Sequence, residues 1–380
     1  MRNETDTFPD SNVSKEDSLR DTKSSIQTTL RHFREFNNNA PTFSVEGQER
    51  LDSKESSVTY DYNTLIDEKT GQKYRIAILN KEELDKGTVP TILTLQFNTI
   101  VEHGSMNYFA QEISQGGRPV IIIESPSIGK SSDMTKEQFF TLRKGDNPFS
   151  EISESLLRSL NPILKVNNGT NKQIDVAGYS QGAITALSIT EVANSLGISV
   201  RKAFLLEIPG VKDFAKEGGN FKKFKSSAKI MAAFISEGAN LSWYQNDPHD
   251  KKQRIVSGVE VPENSVKIYG RFVKNLAIKP IFRKGILTAY PTAMARRVVP
   301  NILNAALEKQ PDMKCIFLSG SDSNITLKED IYDSIKPYLN TGRIRRIILP
   351  GDTHSVGERA KRVGSLFRRT MDDTITKLSK

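Results

Sequence analysis

The sequence predicts an α/β fold, with a central, mostly parallel eight-stranded sheet flanked by helices. Three observations carry this expectation. Short, nearly continuous apolar runs recur at 91–95, 119–123, 174–177, 202–206, 315–318 and 344–349. Runs of this length, apolar on both faces, mark buried parallel strands. Helical patterns lie between most of them, at 108–115, 149–164 and 183–196, and alternating strand and helix implies a layered α/β domain. An alternating, β-branched and aromatic pair of segments precedes the first run and completes the set of strands.

Taken in order, residues 1–56 are polar and rich in Ser, Thr, Asn, Asp, Glu and Lys. Too few apolar side chains are present to offset the entropy of ordering, so a disordered tail is expected. Val58-Thr59-Tyr60-Asp61-Tyr62 and Lys73-Tyr74-Arg75-Ile76-Ala77-Ile78-Leu79 flank the turn material Asp67-Glu68-Lys69-Thr70-Gly71. That arrangement predicts an antiparallel hairpin. After the run at 202–206 the rhythm breaks. About a hundred residues separate Pro209 from Pro311, far more than an ordinary crossover requires. They include helical stretches at 228–235 and 293–307, Trp243, and a basic, apolar run at 272–282. The domains are therefore a tail at 1–56, a core at 57–209 and 312–380, and a helical insertion at 210–311. Val363, Leu366, Phe367, Met371, Ile375 and Leu378 recur at helical spacing and predict a C-terminal amphipathic helix.

The chain has 380 residues and a formal charge of +9. A basic balance favours acidic partners such as lipid surfaces or anionic substrates, without bearing on fold. No nucleic-acid partner is expected. The single cysteine, Cys315, lies in an apolar run and reads as a small core residue. One cysteine allows no intramolecular disulfide, which fits a reducing compartment. Met1-Arg2-Asn3-Glu4-Thr5-Asp6 lacks the apolar stretch of a secretion signal. No window approaches the ~18 apolar residues of a membrane span. A cytoplasmic location is expected. His32, His103, His249 and His354 form no paired ligand motif, so neither a metal nor a cofactor is expected. Oligomeric state leaves no mark on the sequence.

The strongest chemical signal is Ile174-Asp175-Val176-Ala177-Gly178-Tyr179-Ser180-Gln181-Gly182-Ala183-Ile184-Thr185-Ala186-Leu187. An apolar strand runs into a glycine-flanked serine, and an Ala- and Leu-rich helix follows at once. A nucleophile elbow needs this context. Gly178 and Gly182 let strand and helix approach closely. Ser180 then projects at the carboxyl end of the sheet, and the backbone N–H of Gln181 faces a developing oxyanion.

A serine hydroxyl needs a base. His354, in Gly351-Asp352-Thr353-His354-Ser355 just past the last strand, is placed to swing over the serine. His32 lies in the tail, His249 in a charged loop, and His103 before the serine in chain order. The acid that orients the imidazole should follow the preceding strand. Asp322, in Ser319-Gly320-Ser321-Asp322-Ser323-Asn324, fits that place, with Asp330 and Asp352 as alternatives.

From about residue 58 to 380 the chain resembles the α/β-hydrolase superfamily in strand order, in the elbow and in Ser-Asp-His order. Glu124-Ser125-Pro126-Ser127-Ile128-Gly129-Lys130-Ser131 is similar to the Asp-x-Pro-Gly-x-Gly-x-Ser loop of many members. Here Glu124 replaces the aspartate and Ser127 the first glycine. Many members carry His-Gly after an early strand, completing the oxyanion hole. This chain has Gln96-Phe97-Asn98-Thr99 there, so the resemblance puts the second backbone donor at Asn98 or Thr99. The resemblance also makes the insertion a lid that walls the acyl pocket. Its Lys222, Lys223, Lys225, Arg283, Lys284, Arg296 and Arg297 open the way to peripheral contact with an anionic membrane, against the plainer reading of a solvated helix face.

The resemblance implies hydrolysis of a carboxylic ester of a small-molecule acyl substrate, through Ser180, His354 and Asp322 and an acyl-enzyme. The same machinery serves thioesterases and acyltransferases. The missing His-Gly admits a different class, a non-catalytic binding protein of the same fold. A phosphate-binding loop at 124–131 is excluded, because Glu124 stands where that loop needs its first glycine and Pro126 removes a donor.

Overall fold

The computed structural model describes residues 60–95, 101, 105–164, 172–212, 286–321, 323, 326–349 and 360–371. Eight strands form one sheet: β1 (Asp61–Asp67), β2 (Gln72–Leu79), β3 (Thr91–Thr94), β4 (Val120–Ile123), β5 (Lys172–Tyr179), β6 (Ile198–Leu206), β7 (Lys314–Gly320) and β8 (Ile344–Leu349). Their spatial order is β1-β2-β4-β3-β5-β6-β7-β8. β1 and β2 are antiparallel, and β3 to β8 pair in parallel. All six apolar runs of the sequence become these parallel strands.

Alternation along each strand divides the core in two. Ile92, Ile121, Val176, Leu205 and Phe317 face one layer. Leu93, Ile122, Ala177, Leu206 and Leu318 face the other. The first layer is covered by α1 (Lys81–Asp85), α3 (Lys136–Lys144), α4 (Ser150–Leu160), α5 (Gln181–Val192), α6 (Ile286–Met294), α7 (Val299–Lys309) and α8 (Lys328–Ile335). That opposite face is covered by α2 (Ser105–Ser114) and α9 (Ala360–Met371). There Phe109, Phe204 and Phe367 interlock, with Phe367 edge-on to Phe109 at 6.0 Å and to Phe204 at 5.1 Å. Such edge-to-face pairs add to the stabilisation from burial. No helix among the described residues is long and apolar enough to cross a membrane.

The hairpin differs in detail from the sequence expectation. The first strand is Asp61–Asp67 rather than the segment 58–62, and Asp67 is its last residue. Asp67 accepts backbone bonds from Thr70 and Gly71. Its carboxylate is fully buried and bonds Arg158 at 2.9 and 3.0 Å, Ser155 at 2.7 Å and Thr70 at 2.8 Å. Strand, turn and α4 are thus locked by one side chain.

Burial, the largest single influence on the Asp67 carboxyl, pushes its pKa up. The hydrogen bonds from Arg158, Ser155 and Thr70 outweigh it and bring the value down from 3.8 to about 2. The folded state therefore favours the ionised form. The stabilisation, about 2 kcal/mol, is full above the unfolded value and is lost as pH falls through about 2. Asp67→Asn is expected to lower Tm at neutral pH and to flatten the loss of stability between about pH 4 and 2. Thermal melts across that range check it; parallel curves for the two proteins would contradict the assignment.

Two backbone bonds close the base of the long connection. Gly210 O accepts from Val298 N at 2.9 Å and Val299 N at 3.1 Å. The segment that leaves after β6 is thus tied to the start of α7 at one carbonyl. Residues 286–309 then pack on the core, with Tyr290 stacked on Phe149 at 6.0 Å and α7 lying on α5. The tail at 1–56 and residues 213–285 lie outside the described residues.

Candidate active site

The parallel strands share one carboxyl edge. β3 lies between β4 and β5, and the helices that follow β3 and β5 go to opposite faces of the sheet. Such a reversal of winding opens a crevice at the strand ends. Ser180 stands there, one residue beyond β5 and directly before α5.

Its backbone has φ 55° and ψ −126°, a region that non-glycine residues occupy only under constraint. The constraint is visible on both sides. Ser180 N donates to Leu206 O at 2.8 Å, extending the β5–β6 ladder, and Ser180 O accepts from Ala183 N at 2.9 Å as α5 begins. Strand and helix meet at the two glycines. A Cβ on Gly178 would lie 2.3 Å from Gly182 O, and one on Gly182 would lie 2.3 Å from Thr94 O. The Thr94 hydroxyl seals the junction, 2.6 Å from Gly182 O and 3.1 Å from Ala177 O. The sequence-predicted elbow is therefore present, and α5 starts at Gln181, two residues earlier than the stretch at 183–196.

As the first residue of α5, Gln181 has a backbone N–H without an acceptor inside the helix. It sits at the positive end of the helix dipole, suited to an oxyanion on a carbon attached to Ser180. The Gln181 side chain is fully buried and donates to Thr185 Oγ1 at 2.8 Å, while its amide oxygen has no hydrogen-bond partner.

Asn98 and Thr99, expected to supply the second donor, lie outside the described residues, but both flanks of their segment are fixed. Leu95 O accepts from Ser125 Oγ at 3.4 Å, and Val101 N donates to Glu124 Oε1 at 2.9 Å. The other Glu124 oxygen accepts from Lys130 N at 2.9 Å and Ser131 N at 3.2 Å. Glu124 thus fills the loop at 124–131 with its own carboxylate. The backbone donors that a phosphate would need are already taken.

His354, Asp322 and Asp352 also lie outside the described residues, so the structure neither brings them to Ser180 nor separates them from it. Asp330 is on α8 and pairs with Lys212 at 3.8 Å; burial, more than any neighbouring charge, pushes its carboxyl up. Cys315 is buried on β7, and burial pushes its thiol up to about 12, which removes it as a nucleophile. Among the described residues no cluster of three His, Cys, Asp or Glu side chains is arranged to hold a metal.

Sequence reasoning passed over Glu207. It directly follows β6, is fully buried, and like Ser180 is a non-glycine residue with positive φ, 51°. The available signal was a lone acid immediately after an apolar strand, one strand along from the nucleophile.

No protein-family model matches the chain, and no curated protein sequence matches it. Solved structures do. A serine hydrolase from the polyaromatic-hydrocarbon-degrading bacterium Cycloclasticus zankles superposes with a TM-score of 0.55 at 10% identity, over 83% of this chain and 99% of that one. A bromoperoxidase from Bacillus anthracis gives 0.49 at 13% identity, over 82% of this chain and 100% of that one. An esterase from Pyrococcus furiosus gives 0.48 at 14% identity, over 83% and 92%. The first enters the argument, and it speaks to architecture. With the sheet order and the elbow described above, it identifies this architecture as the α/β-hydrolase fold.

Proposed function

We propose that the chain is a serine hydrolase that cleaves a carboxylic ester, or a related acyl bond, through an acyl-enzyme. The conformation of Ser180 carries this reading. A buried serine held at φ 55° between a strand end and a helix N-terminus is strained, and such strain is retained where geometry serves function.

The chemistry assigns each residue one task. Ser180 Oγ attacks the acyl carbon while His354 takes its proton. The carbonyl π pair moves onto oxygen, where the Gln181 N–H and a donor at Asn98 or Thr99 stabilise it. The tetrahedral intermediate collapses, expelling the leaving group, which takes the proton from His354. Water, deprotonated by His354, then releases the acid and restores Ser180. Asp322 holds the imidazole tautomer and stabilises the imidazolium. Thioester cleavage or acyl transfer follows the same course with another leaving group or acceptor.

A fluorophosphonate probe tests the reading directly. Covalent labelling is expected for the wild type and lost in Ser180→Ala and His354→Ala, with Asp322→Asn slowed by several orders of magnitude. Labelling absent from the wild type would instead leave a binding protein on a hydrolase scaffold. If Asp330→Asn slows labelling and Asp322→Asn does not, the acid lies on α8.

A further inference from the structure

The backbone N–H of Gln181 opens α5 beside Ser180, and its side chain folds back along the first turn of the same helix. Gln181, Ser180 and Thr185 are all buried. The Gln181 amide nitrogen donates to Thr185 Oγ1 at 2.8 Å. The Thr185 hydroxyl hydrogen goes in turn to Gln181 O at 3.4 Å. The threonine oxygen therefore calls for a donor, which sets the nitrogen end of the amide against it. That orientation leaves the amide oxygen buried without a hydrogen-bond partner.

A buried acceptor left unmet forfeits the hydrogen bonds it had in water, and native structures keep few such groups. A methionine or leucine of similar volume would fill the same place without that penalty. Among the described residues, Thr91 and Ser319 also carry a buried hydroxyl without a partner. Thr91 lies at the amino end of β3, however, and Ser319 on β7, two strands from β5. Gln181 adjoins the nucleophile.

The side of α5 that carries the amide faces α4, since Thr185 O accepts from Ser153 Oγ at 3.4 Å. Phe149 directly precedes α4. Tyr290 of α6 is stacked on that ring and donates its hydroxyl to Pro126 O at 3.3 Å, in the loop after β4. Two helix N-termini, the loop after β4 and the last part of the long connection thus converge beside Ser180.

Consecutive Cα atoms are ~3.8 Å apart, so the amide stays within a side chain's length of whatever is bonded to Ser180. In the acyl-enzyme that is the acyl group, which remains there through both halves of the reaction. The leaving group departs after the first. Resting on the serine-hydrolase reading, we infer that the Gln181 amide oxygen is a specificity-determining group that accepts a hydrogen bond from a hydroxyl on the substrate's acyl chain. The favoured substrates are esters of hydroxy acids, with the hydroxyl on the second or third carbon of the acyl chain. Thr185 holds the amide in place, and the Gln181 backbone N–H meets the oxyanion.

The experiment compares full-length wild type and Gln181→Met on p-nitrophenyl butyrate and on both enantiomers of its 2- and 3-hydroxy analogues. Each kcat/KM is divided by the rate of the same ester in hydroxide alone, which removes intrinsic reactivity. Wild type is expected to favour the best hydroxy ester over butyrate by about 30-fold. In Gln181→Met, which keeps the volume and loses the acceptor, the preference should shrink to within about threefold. The readout is this ratio, so a change in overall turnover through the Gln181 N–H cancels. A preference kept in Gln181→Met would assign the hydroxyl to another residue and overturn the inference. If Gln181→Met folds poorly, Gln181→Leu replaces it. A wild type without the preference refutes the inference whatever the variants do, and leaves an internal water as the partner of the amide oxygen. Where turnover is too slow to measure, the ester concentration that halves fluorophosphonate labelling gives the same comparison. A wild type inert to every ester and to the probe fails the serine-hydrolase reading itself, whereas an active wild type indifferent to the hydroxyl fails this inference alone.

Discussion

Ser180→Gly is expected to abolish ester turnover and to make the protein more stable. At φ 55° and ψ −126° serine occupies backbone space that glycine enters freely. Relief of this strain is worth about 1 kcal/mol or more, partly offset by the extra freedom that glycine gives the unfolded chain. In a protein of 380 residues that is a Tm increase of roughly 1–2 °C. Ser180→Ala keeps the Cβ and therefore the strain, so it should lose turnover without gaining stability. Calorimetry on the three proteins, beside an ester assay, separates the two effects. A glycine variant that melts below wild type would show that the Ser180 side chain is a structural anchor rather than a strained nucleophile.

Gly182→Ala carries the largest expected effect on folding. The new Cβ would meet Thr94 O at 2.3 Å, a backbone atom of a central strand that has no room to yield. Helix α5 would have to move off β3, breaking the Thr94 hydroxyl contact with Gly182 O. Overpacking of this kind costs on the order of 3 kcal/mol, or a Tm loss of roughly 4–6 °C. Any folded remainder should label slowly with a fluorophosphonate, because Gln181 N–H moves with the helix. Wild-type stability and labelling together would show that α5 is not held against β3 as described. Adding the same methyl at Gly197, where a Cβ meets nothing within 4 Å, is the control, with only the modest cost of its positive φ.

The sheet was legible because burial on both faces erases alternation. Continuous runs such as Val120-Ile121-Ile122-Ile123 have few other homes. The elbow was legible because its constraints are local, with strand, glycines, serine and helix contiguous in the chain. Glu207 was not legible. A single acid after an apolar run is common, and what distinguishes this one is its register beside Ser180 on another strand. Asp67 was misread as turn material for a related reason. Its composition suits a turn, but Arg158 and Ser155, far along the chain on α4, hold it as the last residue of β1. Glu124 was seen as a departure from a loop pattern. Only three-dimensional structure shows that its carboxylate reaches Val101 and so fixes one flank of the oxyanion segment. The roles proposed for His354 and Asp322 rest on chain order alone, because the residues that would meet Ser180 lie on segments distant in sequence.

The pair of bonds from Val298 and Val299 to Gly210 has an evolutionary consequence. The long connection is clasped at a single carbonyl, and within it α6 packs on the core through Tyr290, so only what precedes α6 can change without disturbing that packing. Loop closure depends only logarithmically on length, about 0.6 kcal/mol for each doubling. Segments of very different size can therefore be exchanged ahead of α6 at little thermodynamic risk, while the elbow at Ser180, on the far side of the clasp in chain order, is left as it is.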